Sequence, residues 1–158
     1  MKRIVLFSDS HGRTENIKNI LRQIPGIDYV LFLGDCLRDI YPVEQMNPDI
    51  VFHYVPGNND FSVSLPSEKT VEIGGVRIFM AHGHQYQVKM TCDRIFYRTG
   101  ELQCQIGLFG HTHRAVKVQD DGILLMNPGS VSLPYGGNPS YGIIEIENGS
   151  PSADILYI

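Results

Sequence analysis

The stretch Ile106-Gly107-Leu108-Phe109-Gly110-His111-Thr112-His113 sets an apolar run against a polar loop. Ile106 to Phe109 reads as a short buried strand, and the residues after it as the loop at its end. Two histidines at i and i+2 past a strand end can point both imidazoles into one cleft or divide them between two neighbouring ions. The glycine before them lets the backbone turn tightly and approach closely. Alone, the fragment fits a pair of surface loop histidines as well. The rest of the chain decides. Of six histidines in 158 residues, His11, His82, His84, His111 and His113 all lie in short Gly- or Asp-containing segments just after apolar runs. Chance placement would not repeat that context so often, so a metal centre is the leading expectation.

The same grammar runs through the first half. Ile4 to Phe7 is a buried central strand that turns at Ser8-Asp9-Ser10-His11-Gly12. Thr14 to Ile24 follows as a helix, with Ile17, Ile20, Leu21 and Ile24 on one face, Thr14 as N-cap and Pro25-Gly26 as the stop. Tyr29 to Leu33 is a second strand closing on Gly34-Asp35, and Arg38 to Met46 a helix whose bounds Pro42 blurs. Ile50 to Val55 is a third strand, running into Pro56-Gly57-Asn58-Asn59-Asp60. Strand, polar loop and helix in succession are βαβ units with a mainly parallel sheet.

The second half has a different pattern. Lys69 to Ile73 and Val76 to Ala81 form a hairpin around Gly74-Gly75, ending in His82-Gly83-His84. Tyr86 to Gln103 reads as one helix, from Val88, Cys92, Ile95 and Leu102. Ala115 to Gln119 and Ile123 to Met126 pair around Asp120-Asp121-Gly122. Asn127-Pro128-Gly129-Ser130 reads as a turn closing the cleft wall, and Leu133 to Pro139 as a loop. Tyr141 to Ile146 and Ala153 to Ile158 are late antiparallel strands. With no repeat or linker, residues 1–158 read as a single α/β domain with two sheets.

Composition narrows the function classes. Thirteen Lys+Arg against seventeen Asp+Glu leave a formal charge of −4, and no basic tract appears, so a dedicated nucleic-acid binder is not expected. Cys36, Cys92 and Cys104 form no CxxC pair and read as reduced, structurally buried thiols of a cytoplasmic protein. The apolar run behind Met1-Lys2-Arg3 is too short for a signal peptide, and no stretch approaches membrane-spanning length.

Asp9, His11, Asp35, Asn58, His82, His111 and His113 all follow strands, where ligands collect in sheets of this type. Seven donors are more than one ion needs. Two four-ligand sets sharing a bridging carboxylate would use them all, and their oxygens and imidazoles suit manganese, iron, zinc, cobalt or nickel.

In their order, Asp9-x-His11, Gly34-Asp35, Gly57-Asn58-Asn59-Asp60, His82-Gly83-His84 and Gly110-His111-Thr112-His113 resemble the signature of calcineurin-like metallophosphoesterases. The small size, Asn127-Pro128-Gly129-Ser130 and Gly136-Gly137 are similar to the compact bacterial and archaeal phosphodiesterase branch. The resemblance runs from Ile4 to about Ile146. It implies a two-sheet α/β sandwich of the metallophosphoesterase type, βαβ units plus late antiparallel hairpins. It also implies one ion held by Asp9, His11, Asp35 and His113, with Asp35 bridging to a second held by Asn58, His82 and His111. Manganese would come first, with nickel, zinc, iron and cobalt as alternatives. The implied reaction is hydrolysis of a small phosphodiester by in-line attack of a metal-bridging hydroxide, the ions neutralising charge on the phosphate oxygens.

One position departs. Most of the superfamily would carry histidine at Asn59, and compact relatives often cysteine. Asparagine can donate a hydrogen bond to phosphate but cannot act as a general acid near neutral pH. A slow enzyme favouring diesters with good leaving groups is therefore expected, with His84 supplying the missing proton or phosphate contact, or else supporting a ligand from behind. Asp60 is expected as a turn residue behind the ligands, and His53 as a packing or edge residue of its strand. Arg13, Arg38 and Arg114 are expected as solvated arginines rather than phosphate contacts. For Tyr86, Tyr97 and Tyr135 packing is expected over stacking on a base or aryl group. The alternatives are a phosphomonoesterase and a non-catalytic protein-interaction scaffold, as in a similar eukaryotic retromer subunit that has lost part of the metal set. The complete ligand set here favours the enzyme, with a small substrate, no long nucleic acid, no membrane and a possible homo-oligomer.

Overall fold

Ile4, Val5, Leu6 and Phe7 are all fully buried, because their strand lies in a sheet covered on both faces. In the computed structural model, which describes residues 1–61 and 63–158, the first half of the chain comprises β1 (Lys2–Phe7), α1 (Glu15–Gln23), β2 (Tyr29–Phe32), α2 (Leu37–Gln45) and β3 (Val51–Tyr54). The second half comprises β4 (Glu68–Ile73), β5 (Val76–Ala81), α3 (Asp93–Glu101), β6 (Ile106–Leu108), β7 (Ala115–Asp120), β8 (Ile123–Pro128), β9 (Ser140–Glu147) and β10 (Ser150–Tyr157). One sheet has the order β10-β9-β1-β2-β3 and the other β4-β5-β6-β8-β7.

Alternation along the strands builds the layers. Ile4, Leu6, Leu31 and Leu33 meet Ile78, Met80, Ile106 and Leu108 of the other sheet. Val5, Phe7, Val30 and Phe32 point the opposite way, onto Ile17 and Ile20 of α1 and Ile40 and Val43 of α2. Phe79 and Leu125 turn outward from the second sheet onto Ile95 of α3. The result is the expected two-sheet α/β sandwich, with α1 and α2 covering one outer face and α3 the other. Each fully buried Ile, Leu or Phe side chain contributes roughly 1.5–3 kcal/mol.

Parallel pairing positions the site. β1, β2 and β3 run parallel, as do β5, β6 and β8, so each sheet gathers three carboxyl ends at one rim. Loop hydrogen bonds stitch that rim together: Asp9 N–H donates to Gly34 O (3.0 Å), Gly110 N–H to His82 O (3.0 Å) and Ser130 Oγ to Asp9 O (2.8 Å).

The structure corrects three local readings. The single helix expected over Tyr86 to Gln103 is a 3-10 turn at His84–Tyr86 followed, after a break, by the shorter α3. Gln87 sits at φ +52°, which no helix tolerates, and Thr91 Oγ1 accepts the Asp93 N–H at 3.2 Å where α3 begins. β9 and β10 are a hairpin from Ser140 to Tyr157 around Asn148-Gly149, both left-handed, a primed-type turn signal that places the second strand three residues earlier than expected. Burial of the thiols is also incomplete: Cys104 is buried, whereas Cys36 and Cys92 are half-buried. Among the described residues no helix is long and apolar enough to cross a membrane.

Candidate metal centre

Asp9 follows the end of β1 at φ +55°, and its carboxylate has two unlike oxygens. Oδ2 accepts from Ser8 Oγ at 2.6 Å and from the His111 N–H at 3.0 Å. Oδ1 is buried and has no hydrogen-bond partner. It faces three imidazole nitrogens instead: His113 Nε2 at 3.3 Å, His11 Nε2 at 3.8 Å and His82 Nε2 at 3.8 Å. Asp35, beyond β2, brings Oδ2 to 3.5 Å from His82 Nε2 and 3.6 Å from His11 Nε2.

Two of these rings are locked from behind. His82 Nδ1 lies 2.6 Å from Leu33 O and His113 Nδ1 lies 2.7 Å from Leu133 O. A carbonyl only accepts, so Nδ1 carries the proton and a neutral ring presents its Nε2 lone pair to the carboxylates. Lone pair against carboxylate oxygen is repulsive. A proton on Nε2 or a cation between the two relieves it, and His82 Nε2, like Asp9 Oδ1, is a buried atom without a partner. Asp9, His11, Asp35 and His113 each offer one donor atom, all within 4.8 Å of one another, so this group could hold a divalent ion. Mixed carboxylate and imidazole donors fit a borderline transition metal.

The electrostatics reflect this crowding. Burial works to lift the Asp9 carboxyl, but the His11, His113 and His82 rings that face Oδ1, together with the Ser8 hydroxyl on Oδ2, outweigh it and hold Asp9 well below the usual carboxylate range. Burial of Asp35 is likewise overcome, by His82 and then Asn59, and its pKa falls to about 2. His82 is opposed by its own burial yet raised, through Asp35 and Asp9, and the Asp9 carboxylate beside it raises His113. His111 goes the other way, to about 4, through burial and the positive charges of His82 and Lys89.

The other expected residues stand around this core. The His111 ring centroid is 5.1 Å from that of His82. His84 is exposed at the rim, its ring 5.5 Å from His82 and 6.0 Å from His111. Asn58 is exposed in the turn after β3. Asn59, beside it, turns its amide onto Asp35, with Nδ2 donating to Oδ2 at 2.8 Å. A contact from that amide to phosphate would require it to leave the carboxylate. His53 of β3 stacks on Tyr29 of β2, Arg13 and Arg38 are exposed, and Tyr86 packs on Phe79 while bonding Glu68, all in line with the sequence reading.

Backbone strain concentrates here. Asp9, His11, Asp35, His111 and His113 all have positive φ, between 45° and 66°, a conformation that costs energy in non-glycine residues and persists at functional sites. Gly110 admits the close approach: a Cβ there would run into Ser8 Oγ and crowd Asp9 Oδ2. The expected turn role of Asn127-Pro128-Gly129-Ser130 is incomplete. Asn127, next to last in β8, is fully buried and donates to Gly110 O (2.9 Å) and Thr112 Oγ1 (3.0 Å), so it anchors the histidine loop. Ser130 and Ser132 hold the Asp9 and Ser10 carbonyls. Polar residues at the end of an apolar strand were the available signal for them, as they were for the ligands.

A family model described as the calcineurin-like phosphoesterase superfamily domain matches residues 1–149. The probable metallophosphoesterase YsnB of Bacillus subtilis is 32% identical over 92% of this chain and 85% of its own. The phosphodiesterase YfcE of Escherichia coli is 30% identical over 92% of this chain and 88% of its own. Among solved structures, a predicted phosphoesterase of Streptococcus pneumoniae superposes with a TM-score of 0.84 at 29% identity, covering 99% of this chain and 89% of that one. Vacuolar protein sorting 29 of Entamoeba histolytica superposes at 0.79 and 21% identity over 98% of both chains, a likeness of fold alone.

Proposed function

Taking as premise that the chain belongs to the calcineurin-like phosphoesterase superfamily, we propose that it is a metal-dependent phosphodiesterase acting on small diesters. The observation that carries this reading is the pair of buried, unpartnered atoms Asp9 Oδ1 and His82 Nε2, 3.8 Å apart at the meeting of two sheets. In this proposal Asp9, His11, Asp35 and His113 hold one divalent ion, and Asp35, Asn58, His82 and His111 a second. When bound, the ions would supply Lewis acidity and an acidified water as nucleophile.

The chain's own residues would set the geometry. Leu33 O and Leu133 O keep the His82 and His113 rings turned with Nε2 inward, so these two ligands need no reordering. Ser8 and the His111 N–H fix Asp9 in the same way. Two divalent ions against the carboxylates of Asp9 and Asp35 leave the cleft positive, which draws an anionic ester toward an acidic protein. Asn59 offers no transferable proton, so leaving groups that depart unassisted are favoured, and His84 at the rim is assigned the phosphate contact. The Escherichia coli relative's name supports a diester over a monoester.

The test is hydrolysis of bis(4-nitrophenyl) phosphate and 4-nitrophenyl phosphate by chelator-stripped protein, before and after manganese, nickel, zinc, iron or cobalt is restored. Diester hydrolysis that returns with metal and is lost in Asp35→Asn is the expected result. Preference for the monoester would make it a phosphomonoesterase. No hydrolysis with any of the metals would favour the protein-interaction scaffold.

A further inference from the structure

Beside His111 and His113 lies a cleft of about 630 Å³. That volume falls within the roughly 300–1,000 Å³ of small-molecule sites. Phe109 and Val88, both buried, and Val116 give it an apolar floor, while Lys89 and Arg114 bring cations to its lining. Among the described residues the lining includes no carboxylate. The Arg114 guanidinium lies over the Tyr135 ring, 4.3 Å from its centroid, so cation and aromatic face form one wall.

That wall is tied to the candidate metal centre. The Tyr135 N–H donates to His113 O at 2.9 Å, and His113 Nδ1 donates to Leu133 O two residues earlier. Tyr135 nevertheless leaves 67% of its surface exposed, an aromatic ring held in place but left open. Chemistry at phosphorus needs none of this. We propose that the cleft binds one arm of the substrate: a planar aromatic group of nucleoside type, stacked on the Tyr135–Arg114 wall, with a further anionic group met by Arg114 and Lys89. This deepens the phosphodiesterase reading by naming its substrate class, but the binding it describes does not depend on turnover.

The experiment is calorimetric titration of the manganese-loaded protein with methyl phosphate, thymidine 5′-monophosphate and thymidine 3′,5′-bisphosphate. The native chain is expected to bind the monophosphate roughly tenfold more tightly than methyl phosphate, the scale of one stacked base. Tyr135→Ala should erase that preference and Tyr135→Phe retain it. The bisphosphate should bind more tightly again, an increment lost in Arg114→Gln. Equal binding of methyl phosphate and the nucleotide by the native chain, or a preference that survives Tyr135→Ala, overturns the proposal. Hydrolysis of bis(4-nitrophenyl) phosphate in the same preparations separates the two readings. Nucleotide selectivity without hydrolysis supports the cleft and sinks the phosphodiesterase. Hydrolysis without selectivity does the reverse.

Discussion

Asn59 donates to both oxygens of Asp35, its backbone N–H to Oδ1 at 3.0 Å and its Nδ2 to Oδ2 at 2.8 Å. The Asn59 side chain is thus engaged with the carboxylate proposed to bridge two ions. It fixes that carboxylate and cannot protonate a leaving group.

Asn59→His should therefore raise turnover of alkyl esters, whose leaving groups need a proton, by roughly a hundredfold, the low end of what general acids contribute. Aryl esters should gain little. The check is kcat for an alkyl and an aryl diester in both proteins, and an alkyl rate that does not move would refute the assignment.

Metal should stabilise the fold. An ion present at about 100 times its Kd contributes about 2.7 kcal/mol, which is roughly 5–10 °C in Tm for a chain of this size. Asp9→Asn removes the charge on the oxygen that faces His11, His82 and His113. Its manganese-induced shift should be less than half that of the native chain in calorimetric scans. An equal shift would place the ion elsewhere.

That stabilisation should grow with pH. The folded protein raises the pKa of His82 and His113, chiefly through Asp35 and Asp9. Without metal, their contribution is present in full below the ordinary histidine value and is lost as pH rises through the raised one. A metal ligand must be deprotonated, so binding has the opposite dependence. The manganese-induced Tm shift should be small near about pH 5.5 and larger at about pH 8, setting in later than unperturbed histidines near 6.5 would allow. A shift independent of pH would contradict protonation of these two rings.

Much of this was legible in local sequence. Apolar runs that stop at Asp9, Asp35, His82 and His111 declare both the buried strands and the polar rim, because strand ends in a covered sheet are where polar groups can gather. Other features depend on non-local contacts. Val88 looked helical by spacing, yet it follows the left-handed Gln87 and packs beneath the second sheet, so tertiary packing overrode periodicity. Asn127 reads as a turn residue until β8 is placed beside β6, which puts its amide on Gly110 O. The cleft wall joins Arg114 to Tyr135, 21 positions apart, and no local pattern announces that stack. Asn148-Gly149 was readable, since it is a favoured hairpin dipeptide between alternating strands.

Asp60 offers the sharpest test of how the scaffold holds its ligands. Oδ2 accepts from the Asp35 N–H (2.9 Å) and the Gly57 N–H (2.8 Å), and Oδ1 from the Cys36 N–H (3.0 Å) and the Leu37 N–H (2.8 Å). One carboxylate thereby caps the start of α2, where no side chain of Cys36 does so, and joins the Asp35 loop to the Asn58–Asn59 turn. Negative charge at a helix N-terminus adds to the effect. Asp60→Asn turns one acceptor into a donor facing two N–H groups, leaving both unsatisfied at a cost of about 2–4 kcal/mol. Urea unfolding of the metal-free protein should register that loss, and metal affinity should fall with it, because Asp35 and Asn58 would no longer be fixed relative to each other. Stability within about 1 kcal/mol of the native chain, a loss smaller than one charged hydrogen bond, would show that the four contacts are dispensable.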